Sequence, residues 1–181
     1  TSDPCFACVR APFARHPASR LFPYTPLFRS GVLPVSPEDI PAILRDVRQA
    51  DIDEIVEGLG VSLESELFDG ITDSLNARKI VVNGHIVAVF GDAVHSVLGS
   101  VGVPWLISTI HVEKHAKAFL KVFKLEVQGM LTRHRHLINY VDARNTAAIR
   151  WLKWLGFHFG EAVPYGPKRL PFYPFTLNRE E

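Results

Sequence analysis

The sequence is poor in sulfur. Two cysteines and one methionine stand among 181 residues, and both cysteines, Cys5 and Cys8, fall in the first eight. From Val32 onward there is no cysteine, so that region holds no disulfide and fits a reducing compartment. Net charge is nearly absent too. Twenty Lys and Arg oppose 19 Asp and Glu, which argues against bulk electrostatic capture of nucleic acid. No run approaches the roughly 18 consecutive apolar residues of a membrane-crossing helix. Apolar residues themselves are plentiful: 47% of the chain is hydrophobic and 22% charged, the balance of a globular protein able to bury one core.

Composition shifts at Gly31. Residues 1–31 hold five of the 13 prolines and four arginines against one aspartate, with no helical or strand periodicity. Cys5 and Cys8 have the spacing of a zinc half-site, but no second pair follows and only His16 is near, so metal is not expected. The stretch lacks the apolar centre of a secretory signal, and its prolines forbid the amphipathic helix of a transit peptide. Leu21-Phe22-Pro23-Tyr24-Thr25-Pro26-Leu27-Phe28-Arg29-Ser30 resembles translated sequencing-adapter read-through. The expected organisation is a non-native or disordered segment, 1–31, before one domain, 32–181.

The domain reads in order. Val32 to Val35 is a short strand, then Ser36-Pro37-Glu38-Asp39 gives an N-cap, a first-turn proline and first-turn acids. Ile40, Ile43, Leu44 and Val47 share one helix face. A second helix runs from Asp51 to Leu59 before Gly60, and a third from Ser62 to about Asn76. Lys79–Asn83 and Ile86–Gly91 form a hairpin around Gly84-His85, and Val103–Ser108 is a strand whose Pro104 belongs at a start or an edge. The longest helix spans Glu113 to His134 on the stripe Ala116, Phe119, Leu120, Phe123, Val127, Met130, Leu131. Leu137–Val141 is a strand, Asn145 caps a helix stopped by Gly156, and Phe157–Phe159 pairs with Phe172–Leu177. Strands interleaved with helices predict an α/β fold, a mixed central sheet flanked by helices.

Asn145-Thr146-Ala147-Ala148 with Leu155-Gly156-Phe157 resembles the Asn-x-x-Ala…Leu-Gly-Phe signature of the Gcn5-related N-acetyltransferases (GNAT), and the element order over about 32–177 agrees. The resemblance implies an acyl-CoA N-acyltransferase-like fold. It also marks two departures. Active members hold the pyrophosphate of acetyl-CoA on a glycine-containing loop before the long helix; here Ser108 to Ala116 has no glycine and carries bulky Ile110 and Val112. They also often place a tyrosine seven residues after the Asn, to protonate the departing thiolate; here that position is Leu152.

A second resemblance is closer. Tyr140-Val141-Asp142-Ala143-Arg144-Asn145-Thr146 and Ile149 to Phe157, with Glu113-Lys114-His115 and Ala118-Phe119-Leu120, are similar to a virion-assembly family of short-tailed phages related to the coliphage product of gene thirteen. That implies a phage-encoded GNAT-fold protein without catalysis, acting in the host cytoplasm or as an internal virion component, with virion or host proteins as partners. No cofactor is then expected. The alternatives are an acetyl-CoA-dependent N-acetyltransferase with an atypical phosphate site, and a host-directed binding module.

If the fold is catalytic, Glu113 or His111 is the expected base, and Lys114, Lys117 and Asn145 the expected cofactor contacts. His111 and His115 have zinc spacing, but a metalloprotease needs Glu where Val112 stands, so no metal site is expected. Lys114, Lys117, Lys121 and Lys124 form one helix flank, with no interleaved aromatics to stack bases, so nucleic acid is not the expected primary partner. Asn145 suffices as an N-cap. Asp142 and Arg144, past a strand's carboxyl end, are candidate ligand contacts or a mutual surface ion pair. Trp151 and Trp154, three apart, pack on the sheet or present indoles to a partner.

Overall fold

The computed structural model describes residues 30–95 and 100–180. The zinc half-site of Cys5 and Cys8, with His16, lies outside the described residues. Ser30 and Gly31 open the first strand, β1 (Ser30–Pro34), where they pair with Val82 and Val81.

Helices α1 (Ile40–Leu44) and α2 (Gln49–Ile52) follow, and α2 widens into π-helical turns over Asp53–Leu59. Gly60, at φ 76°, ends them: its N–H reaches back five residues to the Ile55 carbonyl. The amphipathic face predicted from Ile40 to Val47 is buried, but as a helix it stops at Leu44, and Val47 makes a bridge to Thr109 instead. Helix α3 (Leu63–Asp73) starts where expected, because the Ser62 hydroxyl accepts from the Ser65 N–H at 3.0 Å.

Strands β2 (Arg78–Val82) and β3 (His85–Val94) form the hairpin. Its two turn residues are Asn83 (φ 51°) and Gly84 (φ 84°), one position earlier than expected. Asn-Gly is the pair that tolerates two consecutive left-handed residues. Then come β4 (Val101–Ser108), α4 (Ala116–Arg133), β5 (His136–Asp142), α5 (Thr146–Leu155) and β6 (His158–Phe159). Two strands, β7 (Val163–Tyr165) and β8 (Leu170–Asn178), complete the sheet. The short β7 escaped the sequence reading because Val-Pro-Tyr carries no alternation; it exists by pairing with β8.

The sheet runs β1-β2-β3-β4-β5-β8-β6, with β7 beside β8. Every pairing is antiparallel except β4 with β5. One face is covered by α1 to α3 over Ile43, Ile55, Leu67, Val89 and Ile107. The other is covered by α4 and α5 over Phe90, Phe119, Phe123, Val127, Met130, Leu137 and Phe175. Period-two alternation along β4 feeds both layers: Ile107 and Trp105 face one, Leu106 the other. This is the mixed sheet between helical layers that the element order predicts.

Candidate functional site

The parallel strands β4 and β5 share only two residue pairs, Val101 with His136 and Gly102 with Leu137. Beyond them the strands part. Pro104, which has no N–H to donate, sits after the parting, on what is locally an open side of β4. Near the apex the Asn139 amide donates to the Pro104 carbonyl at 2.9 Å. The parted strands leave a cleft of about 530 Å³ whose walls come from both layers: Ile55 and Leu59 on one side of the sheet, Phe119, Trp151 and Leu152 on the other. The cleft therefore passes through the sheet.

Its polar floor is built by α2 and the start of α5. Arg48, Asp51 and Asn145 are all buried. Arg48 Nη2 donates to Asp51 Oδ1 at 2.8 Å and to Asn145 Oδ1 at 3.1 Å, and its guanidinium lies 4.9 Å from the centre of the Trp151 ring. Asp51 Oδ2 accepts from the Ser108 N–H at 3.0 Å and from the Ser108 hydroxyl. A buried ion pair is tolerable when its remaining donors and acceptors find partners, as these do. The result is a polar staple from the end of β4 to the start of α5, across the open end of the cleft.

Glu54 stands beside it on the π-helical turns, a rare geometry that recurs at functional sites. Glu54 Oε2 accepts from Asn145 Nδ2 at 2.8 Å, while the same amide nitrogen donates to Asp51 Oδ1 at 3.3 Å. Burial pushes the Glu54 carboxyl up to about 7 despite the hydrogen bond from Asn145, and the negative charges of Asp51 and Asp142 push the same way. Glu54 lines the cleft, as do Glu66, Asp69 and Asp73 of α3.

The sequence candidates fall in three places. Asn145 is at the floor, where its side chain caps α5 by accepting from the Ala148 N–H at 3.3 Å and also organises Asp51 and Glu54. Asp142 and Arg144 do pair, at 2.7 Å, but Asp142 is 1% exposed, so this is no surface pair. Arg144 also reaches Glu57 at 3.0 Å, and hydrogen bonds to Asp142 and Glu57 hold its guanidinium above its ordinary range. Trp151 packs edge-on against Phe119, whereas Trp154 is 54% exposed beneath Lys124.

The remaining candidates stand outside the cleft. His111 stacks on His85 with ring centres 4.4 Å apart and approaches Asp46 at 3.4 Å. Glu113, Lys114 and Lys117 are exposed around the start of α4. Among the described residues, neither His111 nor Glu113 lines the cleft.

The loop before α4 has a different physical character from the one its side chains suggest. Val112 does not crowd any amide from outside; it is fully buried in the core, and Ile110 points to solvent. What removes the loop amides is internal bonding. Thr109 N–H goes to the Val87 carbonyl, Ile110 N–H to Asp46, His111 N–H to the Thr109 hydroxyl and Val112 N–H to the Thr109 carbonyl. The amides of the first helical turn, Ala116, Lys117 and Ala118, precede the first intrahelical bond, which Phe119 makes to the His115 carbonyl, and so have no acceptor within the helix.

Four site residues, Arg48, Asp51, Glu54 and Ser108, were not singled out from sequence. The signal was there: Arg48, Asp51 and Glu54 are charged at three-residue steps in a segment whose Ile52, Ile55 and Leu59 pack against the core.

No family model matches the chain, and no curated protein sequence does. Solved structures do match. Ard1 from Thermoplasma volcanium is 16% identical with a TM-score of 0.62, over 84% of this chain and 99% of that one. Ribosomal-protein-alanine N-acetyltransferase from Brucella melitensis is 15% identical with a TM-score of 0.62, over 82% and 99%. Aminoglycoside acetyltransferase AAC(6')-Ib, solved in complex with coenzyme A, is 14% identical with a TM-score of 0.60, over 83% and 95%. At such identities a likeness speaks for architecture, and site chemistry must be argued from the site. The chain has the fold of the acyl-CoA N-acyltransferases, the GNAT fold.

Proposed function

We propose that the chain is an acetyl-CoA-dependent N-acetyltransferase whose acceptor amine enters the through-sheet cleft from the α2–α3 side. One observation carries this reading: Glu54, in the gap between the parted strands, holds a carboxyl whose pKa is raised to about 7. A general base is most useful when its pKa lies near the working pH. Ammonium groups do not attack carbonyls, so the amine must first lose a proton, and Glu54 is placed to accept it. Asn145, donating to Glu54 and to Asp51, orients the carboxylate. Acetyl-CoA, when bound, supplies an activated acetyl thioester.

The residues present fit such a donor at the start of α4 and not at the preceding loop. Ala116 and Ala118 are small enough for a phosphate to approach the first-turn amides, the helix dipole favours its charge, and Lys114 and Lys117 are exposed beside it. Leu152, which lines the cleft, has no proton to give, so it would not serve as the acid for a departing thiolate.

A second reading has its own support. The internally bonded loop amides and Leu152 favour a GNAT-fold protein without catalysis; a virion-assembly role in the host cytoplasm rests on the resemblance of residues 140–146 and 149–157 alone, which no family model or curated sequence supports. Calorimetry with acetyl-CoA separates the two. Micromolar binding, weakened at least tenfold in Lys114→Ala/Lys117→Ala, is the expected result; no binding at millimolar acetyl-CoA overturns the enzymatic reading and leaves a non-catalytic role, in assembly or as a host-directed binding module.

A further inference from the structure

The two helical layers present opposite charge to solvent. From Val61 to Ala77 there are four acidic residues, Glu64, Glu66, Asp69 and Asp73, and no basic one. The same stretch exposes large apolar side chains. Phe68, in the middle of α3, is 49% exposed, Val61 just before the helix 40%, and Leu75 just after it 58%. Exposed apolar residues are ordinary when scattered singly, but a stripe flanked by one sign of charge marks an interaction face.

On the opposite face of the sheet, α4 and α5 leave a groove of about 480 Å³ lined by Lys117, Leu120, Lys121, Lys124, Leu125, Gln128 and Trp154. No acidic side chain lines it. Leu125 is 64% exposed, and Lys124 Nζ lies 5.4 Å from the centre of the Trp154 ring. The groove is thus an apolar floor between ammonium groups, the charge complement of α3. The lengths agree as well. Helix α3 has 11 residues, and the groove follows α4 over a similar number, about 16 Å in each case.

We propose that α3 of one copy of this chain docks in the α4–α5 groove of a second copy, with Phe68 meeting Trp154 and Leu125, and Glu64 and Asp69 meeting Lys121 and Lys124. The two surfaces lie on opposite layers of one molecule, so the contact is head-to-tail. Such a contact does not exhaust itself in a dimer: it closes into a ring or grows into a filament. It is a helix-in-groove contact fixed by charge, so salt weakens it.

Sedimentation velocity on the full chain tests this. At about 50 mM salt the sedimentation coefficient is expected to rise with protein concentration up to about 100 µM, and at about 0.5 M salt to return to the monomer value. Lys121→Glu/Lys124→Glu and Glu64→Lys/Asp69→Lys should each be monomeric alone, since each puts like charges on both surfaces. Their equimolar mixture should associate again, because every contact in it pairs opposite charges. Phe68→Ser and Trp154→Ser, which leave all charges in place, should each weaken association at least tenfold while keeping the wild-type circular dichroism. A wild-type chain that stays monomeric at low salt overturns the proposal. So does association that survives either charge reversal, or a mixture of the two reversed proteins that stays monomeric.

Discussion

Two carboxylates are buried at opposite ends of this sheet, and they have been treated differently. Asp92, on β3, is fully buried and fully bonded. Arg133, at the end of α4, holds it through two bonds of 2.9 and 2.8 Å, and His134 Nε2 lies 2.8 Å from the same group. Gly102 makes room for that histidine, since a side chain there would run into its ring. Glu54 has the Asn145 amide and the Asp142 backbone as donors, no cation among the described residues, two neighbouring carboxylates and a cavity in front of it. The first arrangement joins β3 to α4 and leaves the carboxylate nothing else to do. The second leaves a group whose charge is costly and whose proton is negotiable, which is the condition for chemistry.

The comparison breaks first at Asp92. Asp92→Ala should cost about 3–5 kcal/mol in urea denaturation, because it strands buried His134 without its acceptor and releases exposed Arg133 from β3. Acetyl-CoA binding by the folded fraction should be unchanged. If the loss is under about 1 kcal/mol, the two carboxylates are not opposites.

Glu54→Gln should act in the other direction. If the enzymatic reading holds, kcat/KM for an amine acceptor falls at least a hundredfold at pH 8, and wild-type kcat/KM itself rises about tenfold per pH unit toward a plateau above pH 7. Stability should rise. The folded pKa of about 7 exceeds the 4.5 of an ordinary glutamate, so the folded state binds the extra proton between them. The resulting stability is complete below pH 4.5 and disappears as pH climbs through 7. Gln carries no such penalty, so the variant should gain on the order of 3 kcal/mol at pH 8 and nothing at pH 4. Denaturation curves at the two pH values decide it.

Asn145→Ala loses the α5 cap and a donor to two carboxylates, and should cost about 2 kcal/mol in stability and raise the pH at which activity half-develops, since the lost hydrogen bond held the Glu54 carboxyl down. The smallest effect belongs to Lys114→Ala alone. Its side chain is exposed, so melting should move by no more than the equivalent of about 0.5 kcal/mol, with acetyl-CoA affinity as the readout that moves.

The elements of the fold were legible because their signals are local. Ser62 and Asn145 cap helices, Gly60 and Gly156 (φ 98°) stop them, and apolar spacing marks the buried face of α4. The site was less legible. Asn145 was found through its motif, but Glu54 drew no notice, because nothing local distinguishes it from Glu57, three residues on and half-exposed. His111 and Glu113 drew notice because they flank the expected loop, and the chain turns them away from the cleft. Ile110 and Val112 were expected to block a phosphate by bulk, yet the loop amides are taken by their own neighbours.

By itself the order of residues determined the helices, most strands and their alternation into two layers, since periodicity and capping act over a few residues; the GNAT architecture was implied only by the resemblance of the Asn145 to Phe157 motif to that family. Only the tertiary structure decided where β4 and β5 part, that Arg48 and Asp51 reach across that gap, and that Glu54 faces it. Those facts join residues nearly a hundred positions apart, and a carboxyl takes its acidity from whatever folding brings within a few ångströms of it.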